Sequence, residues 1–264
     1  MGKNIYKPSW KNTKKYSIYT NYFWQYIKNG DFKSLFASIR YVFTHKLPGQ
    51  PFYASSPMGK YYIRQNSTDF QFINYAYEKE IKDYLKDNLN SFDVFIDVGA
   101  CIGEYCIWLA KQGKKCIAIE PVNFEALSKN IALNNLTDKI IALECGLGAK
   151  KEHVYFEKVV GVTSSSYLDR SETKEPNVTI EKLDDLYGSF NLKKEDRIII
   201  KLDVEGMETE VIAGAINFFN DFPSVKVIFE HFSETSDQIN KSLSAISPFT
   251  FKEIDSVNRL AEKV

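Results

Sequence analysis

The chain has 264 residues, of which 44% are hydrophobic and 14% aromatic, with 34 basic residues balanced by 34 acidic ones. That is apolar material enough for one large α/β domain, alone or with an appendage, and the balance excludes a general nucleic-acid footprint. The charge is uneven, however. Residues 1–50 hold nine Lys or Arg against a single acid, Asp31, so this segment is +8 and the remainder is −8.

Residues 1–20 are polar, basic and rich in Tyr, a composition that predicts partial disorder. From Asn21 to Lys46 the pattern turns helical. Phe32, Leu35, Phe36, Ile39, Val42 and Phe43 recur at three- and four-residue steps, with Asp31 placed as an N-cap. Lys33, Arg40 and Lys46 lie among them. A basic helix with an aromatic face can lie on an anionic membrane surface. The plainer alternative is a helix that caps the catalytic domain or forms a dimer contact. Pro48, Gly49 and Pro51 then break the pattern and predict a domain boundary, with residues 1–50 on one side and 51–264 on the other.

Residues 52–65 suggest a strand or hairpin, Ser67-Thr-Asp69 a helix start, and Phe70 to Leu89 an amphipathic helix. By themselves Arg64 and Asp69 read as a surface charge and a cap. Val94-Phe-Ile-Asp-Val98 is an apolar strand buried on both faces, followed by Gly99 and Gly103 and then the helical run Tyr105-Cys-Ile-Trp-Leu-Ala110. Strand, glycine turn and helix bring backbone N–H groups up to a ligand. The spacing is D-x-G-x-x-x-G, not the G-x-G-x-x-G of a dinucleotide site. An acid at Asp97 disfavours a pyrophosphate and favours a cationic amino-acid ligand, which points to S-adenosylmethionine.

The α/β rhythm then continues. Cys116–Glu120 is a second strand, Asn123–Asn134 a helix and Lys139–Gly146 a third strand. His153–Lys158 and Val178–Lys182 alternate as strands around a Thr163–Ser166 loop. Arg197–Asp203 is a fourth core strand with Glu208–Phe219 as its helix, and Val225–Glu230 is a fifth. Ser233–Ile246 reads as helix, and Phe249–Ile254 and Arg259–Val264 as paired edge strands. Strands alternating with helices predict a mostly parallel sheet with ligands at the strands' carboxyl ends.

Those ends carry Asp97, Glu120, Cys145-Gly146, Asp203 and Glu230-His231, more polar groups on one edge than a core requires. Glu120 lies 17 residues past Gly103, near the spacing at which an acid binds a ribose diol. Cys145 and Gly146 are small enough to border a flat adenine. His231 is the first choice of general base, since imidazole titrates near neutrality and His45 and His153 look peripheral. Asp203 and Glu205, about 6–7 Å apart along the chain, are its rivals. They can also bind sugar hydroxyls, or hold a divalent cation with Glu230, although three acids near a polar substrate need no metal.

Asp97-Val-Gly-Ala-Cys-Ile-Gly103, Ile119-Glu-Pro121 and above all Lys201-Leu-Asp-Val-Glu-Gly-Met-Glu208 resemble the FkbM-type methyltransferases over roughly residues 60–255. The resemblance implies a class I, Rossmann-like domain with a seven-stranded sheet ending in an antiparallel hairpin, which the short C-terminus here would abbreviate. It also implies S-adenosylmethionine-dependent methylation of hydroxyls, often on surface glycans or sugar-containing metabolites. On this reading Asp97, Gly99, Ala100, Gly103, Glu120, Pro121, Cys145, Gly146 and Asp203 hold the cofactor. Arg64, Asp69, Glu205 and Glu230 bind a small-molecule or glycan acceptor, and His231, Asp203 and Glu205 are catalytic. The alternatives are a nicotinamide oxidoreductase, or a membrane-associated scaffold with a degenerate cofactor site.

No run of about 18 apolar residues spans a membrane, and the first residues lack the apolar core of a signal peptide. Cys101, Cys106, Cys116 and Cys145 form no C-x-x-C pair and read as free thiols. A cytoplasmic protein is expected, with the basic segment able to bring it to the inner face of a membrane.

Overall fold

Asp31 starts the first well-marked element as its position predicts. Its carboxylate accepts the Ser34 N–H at 3.1 Å and caps a helix over Phe32–Thr44. The structure, a computed structural model, describes residues 13–158, 166–170, 174–204, 206–231 and 236–264. Two compact units emerge, dividing after Lys79, so the Pro48–Pro51 break falls inside the first of them.

The first unit begins with α1 (Thr13–Lys28), so residues 13–20, expected to be loose, are helical. Tyr19, Tyr22 and Tyr26 recur at helical spacing and are buried, and that burial holds the helix. The Tyr26 hydroxyl donates to the Phe70 carbonyl at 2.6 Å, and the Asn74 amide donates to the Tyr22 carbonyl at 3.1 Å. Next comes α2 (Phe32–Thr44), closed by His45 in the left-handed region. A hairpin of β1 (Phe52–Ser56) and β2 (Gly59–Ile63) follows. The helix expected over residues 70–89 is broken into α3 (Asp69–Phe72) and α4 (Lys79–Asp87). Asn74 is the cause. Its side-chain oxygen takes the Ala76 N–H at 2.9 Å, offering the backbone a turn in place of another helical bond.

The second unit runs from Glu80. Its elements are β3 (Val94–Val98), α5 (Glu104–Lys111), β4 (Lys115–Ile119), α6 (Phe124–Leu133), β5 (Ile140–Leu143), β6 (Gly146–Leu147), β7 (Glu152–Lys158), β8 (Ser166–Asp169), β9 (Val178–Glu181), α7 (Leu183–Leu186), β10 (Ile198–Leu202), α8 (Glu208–Ala213), α9 (Ile216–Asp221), β11 (Val225–Glu230), α10 (Ser236–Ile246), β12 (Phe249–Glu253) and β13 (Asn258–Lys263). Seven strands form one sheet in the order β12-β13-β11-β10-β3-β4-β5, parallel except for β13 and β12. The last hairpin is therefore not abbreviated. Of the two hairpin strands β12 alone is an edge, because β13 pairs with β11 on its other side.

Three details differ from the expected elements. The strand expected over residues 139–146 ends at Leu143, and Gly146–Leu147 joins a separate four-stranded sheet, β6-β9-β7-β8. Ser166 opens β8, while Thr163–Ser165 lie outside the described residues. The helix expected from Glu208 to Phe219 is divided at Gly214. A Cβ there would stand 2.0 Å from the Gly148 carbonyl oxygen, so the chain must turn to let the two backbones touch. Beyond the break, Phe218 and Phe222 pack with ring centroids 4.9 Å apart in the core beneath β10 and β11.

Strand order sets the place of a site. The sheet grows from β3 outward in both directions, to β4 and β5 on one side and to β10 and β11 on the other. That reversal opens a crevice at the carboxyl ends of β3 and β10. Gly214→Ala should destabilise the protein by about 1–3 kcal/mol, read as a lower urea midpoint with an unchanged slope. An unchanged midpoint would show that the Gly148 contact can relax freely.

Candidate active site

Register places the site residues in one row. Leu202 is level with Val98 and Phe229, and Val98 with Ile119. The residues that follow, Glu230, Asp203, Gly99 and Glu120, therefore leave four neighbouring strands at the same height. Gly99 has φ +89°, and a Cβ on it would lie 2.0 Å from the Asp203 carbonyl oxygen. Only glycine lets the β3 and β10 ends meet there. The Asp203 N–H donates to the Val98 carbonyl at 3.1 Å, tying the same two ends.

The glycine loop is closed largely upon itself. Gly99 and Ala100 both donate to the Ile119 carbonyl, at 2.9 and 3.1 Å, and Gly103 donates to Ala100 at 2.7 Å. Cys101 takes φ +47° and points its N–H at the Glu120 carboxylate, 2.9 Å away. The other carboxylate oxygen accepts from Val122 and Asn123, both at 2.7 Å. Glu120 thus splices the glycine loop to the turn after β4, with Pro121 half-buried beside it. Gly103 (φ +85°) precedes α5 and makes room for Leu127, whose Cδ1 would be 2.5 Å from an added Cβ. Cys145 is buried, and burial beside Glu181 pushes its thiol up to about 11. Gly146 lies under Ile180, whose Cδ1 would be 2.6 Å from an added Cβ.

Asp97 is the last residue but one of β3, buried and level with Lys201 on β10 and Ala118 on β4. Lys201 is itself buried and reaches Asp203, Nζ to Oδ2 at 2.7 Å. Its ammonium also lies 5.3 Å from the centre of the Tyr105 ring, and fully buried Lys82 lies 5.2 Å from that ring. Glu104, the first residue of α5, belongs to the same cluster. Burial and the neighbouring Asp97 charge push its carboxyl up to about 8, against the opposing pull of Lys82 and Lys201. Sequence reasoning missed Lys82, Glu104 and Lys201. A charge inside the apolar run Ile198-Ile-Ile-Lys-Leu202 was a legible signal for Lys201; Glu104 read as a routine first-turn acid and Lys82 as one more charge on an amphipathic helix.

The remaining expected residues fall as follows. Glu230 ends β11, and His231 follows it, half-buried. The His231 N–H donates to the Val257 carbonyl at 2.5 Å, which fastens it to the turn between β12 and β13. Its Nδ1 is enclosed and has no hydrogen-bond partner among the described residues. Glu205 lies outside the described residues. Arg64 and Asp69 belong to the first unit and are bound to each other there, Nε to Oδ2 and Nη2 to Oδ1 both at 2.8 Å, with Asp69 fully buried.

The Methyltransferase FkbM domain matches residues 97–260. The chain belongs to the FkbM methyltransferase family. It is 26% identical over 190 residues to Methyltransferase sdnD of Sordaria araneosa, covering 58% of this chain and 71% of that one. It is also 26% identical over 185 residues to Hexuronic acid methyltransferase AglP of Haloferax volcanii, covering 69% and 73%. Among solved structures it resembles a SAM-dependent methyltransferase from Agrobacterium tumefaciens with a TM-score of 0.46 at 8% identity, over 83% of this chain and 71% of that one. The chain is thus a methyltransferase, and its methyl donor is S-adenosylmethionine. Family membership displaces the nicotinamide oxidoreductase alternative. No helix among the described residues is long and apolar enough to cross a membrane.

At the carboxyl ends of β3 and β4 stand the glycine loop, the acid of the following turn and the small pair Cys145-Gly146, with the space beside Gly99 filled by the Asp203 carbonyl and that beside Gly146 by Ile180. The buried cluster makes a separate, measurable demand. Glu104 has a folded pKa raised above its ordinary 4.5, so the stability it contributes is complete below about pH 4.5 and is lost as pH rises towards 8. Glu104→Gln should abolish that decline, gaining on the wild type by on the order of a few kcal/mol between pH 5 and 8.5. Parallel urea melts check this; identical pH profiles would mean that Glu104 is charged throughout.

Proposed function

We propose that the protein transfers a methyl group from S-adenosylmethionine to a hydroxyl of a carbohydrate, on a surface glycan or a sugar-containing metabolite. The observation that carries this reading is the row of Asp203, Glu230 and His231 beside the glycine loop. Carboxylates accept hydrogen bonds from vicinal hydroxyls, and an acceptor of that kind would find two of them on adjacent strands. The relative named as a hexuronic acid methyltransferase, similar over 69% of this chain, favours the same acceptor class.

The donor supplies a methyl already activated on a sulfonium, so the protein's own task is to orient the nucleophile and remove its proton. In this reading Asp97, Gly99, Ala100, Gly103, Glu120, Pro121, Cys145 and Gly146 form the donor side. Asp203 and Glu230 orient the acceptor, and Glu205 shares that role. His231 takes the hydroxyl proton. The Asp203 carboxylate is already engaged by Lys201 at 2.7 Å. His231 has a buried nitrogen without a hydrogen-bond partner among the described residues, and its backbone is fixed by Val257.

The test measures S-adenosylhomocysteine release with a panel of uronic acid glycosides, neutral hexosides and phenols. Turnover confined to the sugars is expected, whereas turnover on phenols alone would overturn the acceptor class. His231→Ala should lower kcat by about 10²–10⁴-fold with donor affinity unchanged. Glu120→Ala should instead weaken donor affinity in calorimetry. Normal turnover by His231→Ala on a true acceptor would remove it from the role of base.

A further inference from the structure

The first unit leaves uncovered the aromatic side chains that its amphipathic sequence would have been expected to bury. On α2 the buried face is Ser34, Leu35, Ser38 and Val42. Phe32, Phe36 and Phe43 are exposed, the last two by 68% and 74%. At 100° per residue these three rings fall within an arc of about 40° on one side of the helix. Lys33 and Arg40, both exposed, follow about 80–100° round from Phe32, flanking the stripe. On α1, Tyr16, Trp24 and Ile27 are likewise exposed, and exposed Lys28 adjoins them. Beside α2 an open groove of about 430 Å³ is lined by Phe36, Ala37, Arg40, Pro48, Gly49 and Gln50, an apolar floor with one guanidinium at its side.

Charge decides what can cover this surface. Residues 13–50 contain six Lys or Arg and one acid, Asp31, which is buried and committed to capping α2. The surface therefore offers aromatic rings and cations with no exposed carboxylate among the described residues. A purely acidic partner would engage the cations and leave the rings in water. A purely apolar partner would desolvate the cations at a cost. The interface of an anionic bilayer takes both at once, because headgroup charge and the acyl boundary lie within one side-chain length of each other.

We propose that the stripe of Phe32, Phe36 and Phe43 on α2, with Lys33 and Arg40 at its flank and Trp24 and Ile27 on α1, docks the protein peripherally on an anionic phospholipid surface. The rings enter the acyl boundary, the cations stay at headgroup level, and no helix crosses the bilayer. This goes beyond the methyl-transfer reading and does not depend on it.

Flotation of the full chain with phosphatidylcholine vesicles, with and without phosphatidylglycerol, tests the proposal. The wild type should float with the anionic vesicles, less so as NaCl is raised, and stay behind with the neutral ones. Phe36→Ser/Phe43→Ser and Lys33→Glu/Arg40→Glu should each lower the bound fraction about tenfold. All of these side chains are exposed, so both variants should keep the wild-type melting temperature, which is measured alongside. Equal flotation with both vesicle types, or flotation untouched by either double substitution, would overturn the proposal. So would a wild-type dimer in light scattering that dissociates in the phenylalanine variant without any vesicle binding, which would assign the surface to a second copy.

Discussion

A single backbone contact sets the geometry of the catalytic unit. The Asp203 carbonyl oxygen occupies the space that a Cβ on residue 99 would need, so β10 and β3 converge at their carboxyl ends only because position 99 is glycine. With those two strands joined, parallel register brings the ends of β11, β10, β3 and β4 level. The polar residues that follow each strand then emerge side by side. Shift any strand by one residue and its side chains exchange faces, which would scatter the row. The site is thus a property of register, and register is pinned where two backbones touch.

Beneath that row lies a group of charges that a parallel sheet does not ordinarily admit. Asp97, Glu104, Lys82 and Lys201 are all buried around Tyr105. Burying four ionisable side chains is costly unless they compensate one another. Here the compensation comes from opposite charges, from the face of an aromatic ring and from a carboxyl at Glu104 that holds its proton to about pH 8. Lys201 links this buried layer to the surface through Asp203. The Asp203 carboxylate is therefore tied, through one lysine, to the group of charges in the core.

The first unit follows a different logic. Its interior is built from tyrosines that bury their rings and spend their polar atoms on distant backbone, as Tyr26 does on Phe70. Phe70 and Phe72 are buried with them, whereas Phe32, Phe36 and Phe43 on α2 are left outside. An exposed row of three phenylalanines has no use in a helix that only supports its neighbours.

The sequence by itself determined the architecture. Five short apolar runs separated by helical periodicity dictate a parallel sheet, because strands of that composition must be covered on both faces. The motif Asp97-x-Gly-x-x-x-Gly103, the acid at Glu120 and the run Lys201–Glu208 marked the family, since each depends on residue type at fixed local spacing. Asp31 was legible as a cap for the same reason. Tertiary structure alone decided what each charge faces. Glu120 is committed to three backbone N–H groups, Asp97 lies inside the sheet and Arg64 is bound to Asp69. It also split the helix at Gly214, because Gly148 arrives there from 66 residues upstream. Periodicity records which face of an element is apolar; it carries no record of the partner that packs on that face, and a residue's ionisation and role are set by that partner.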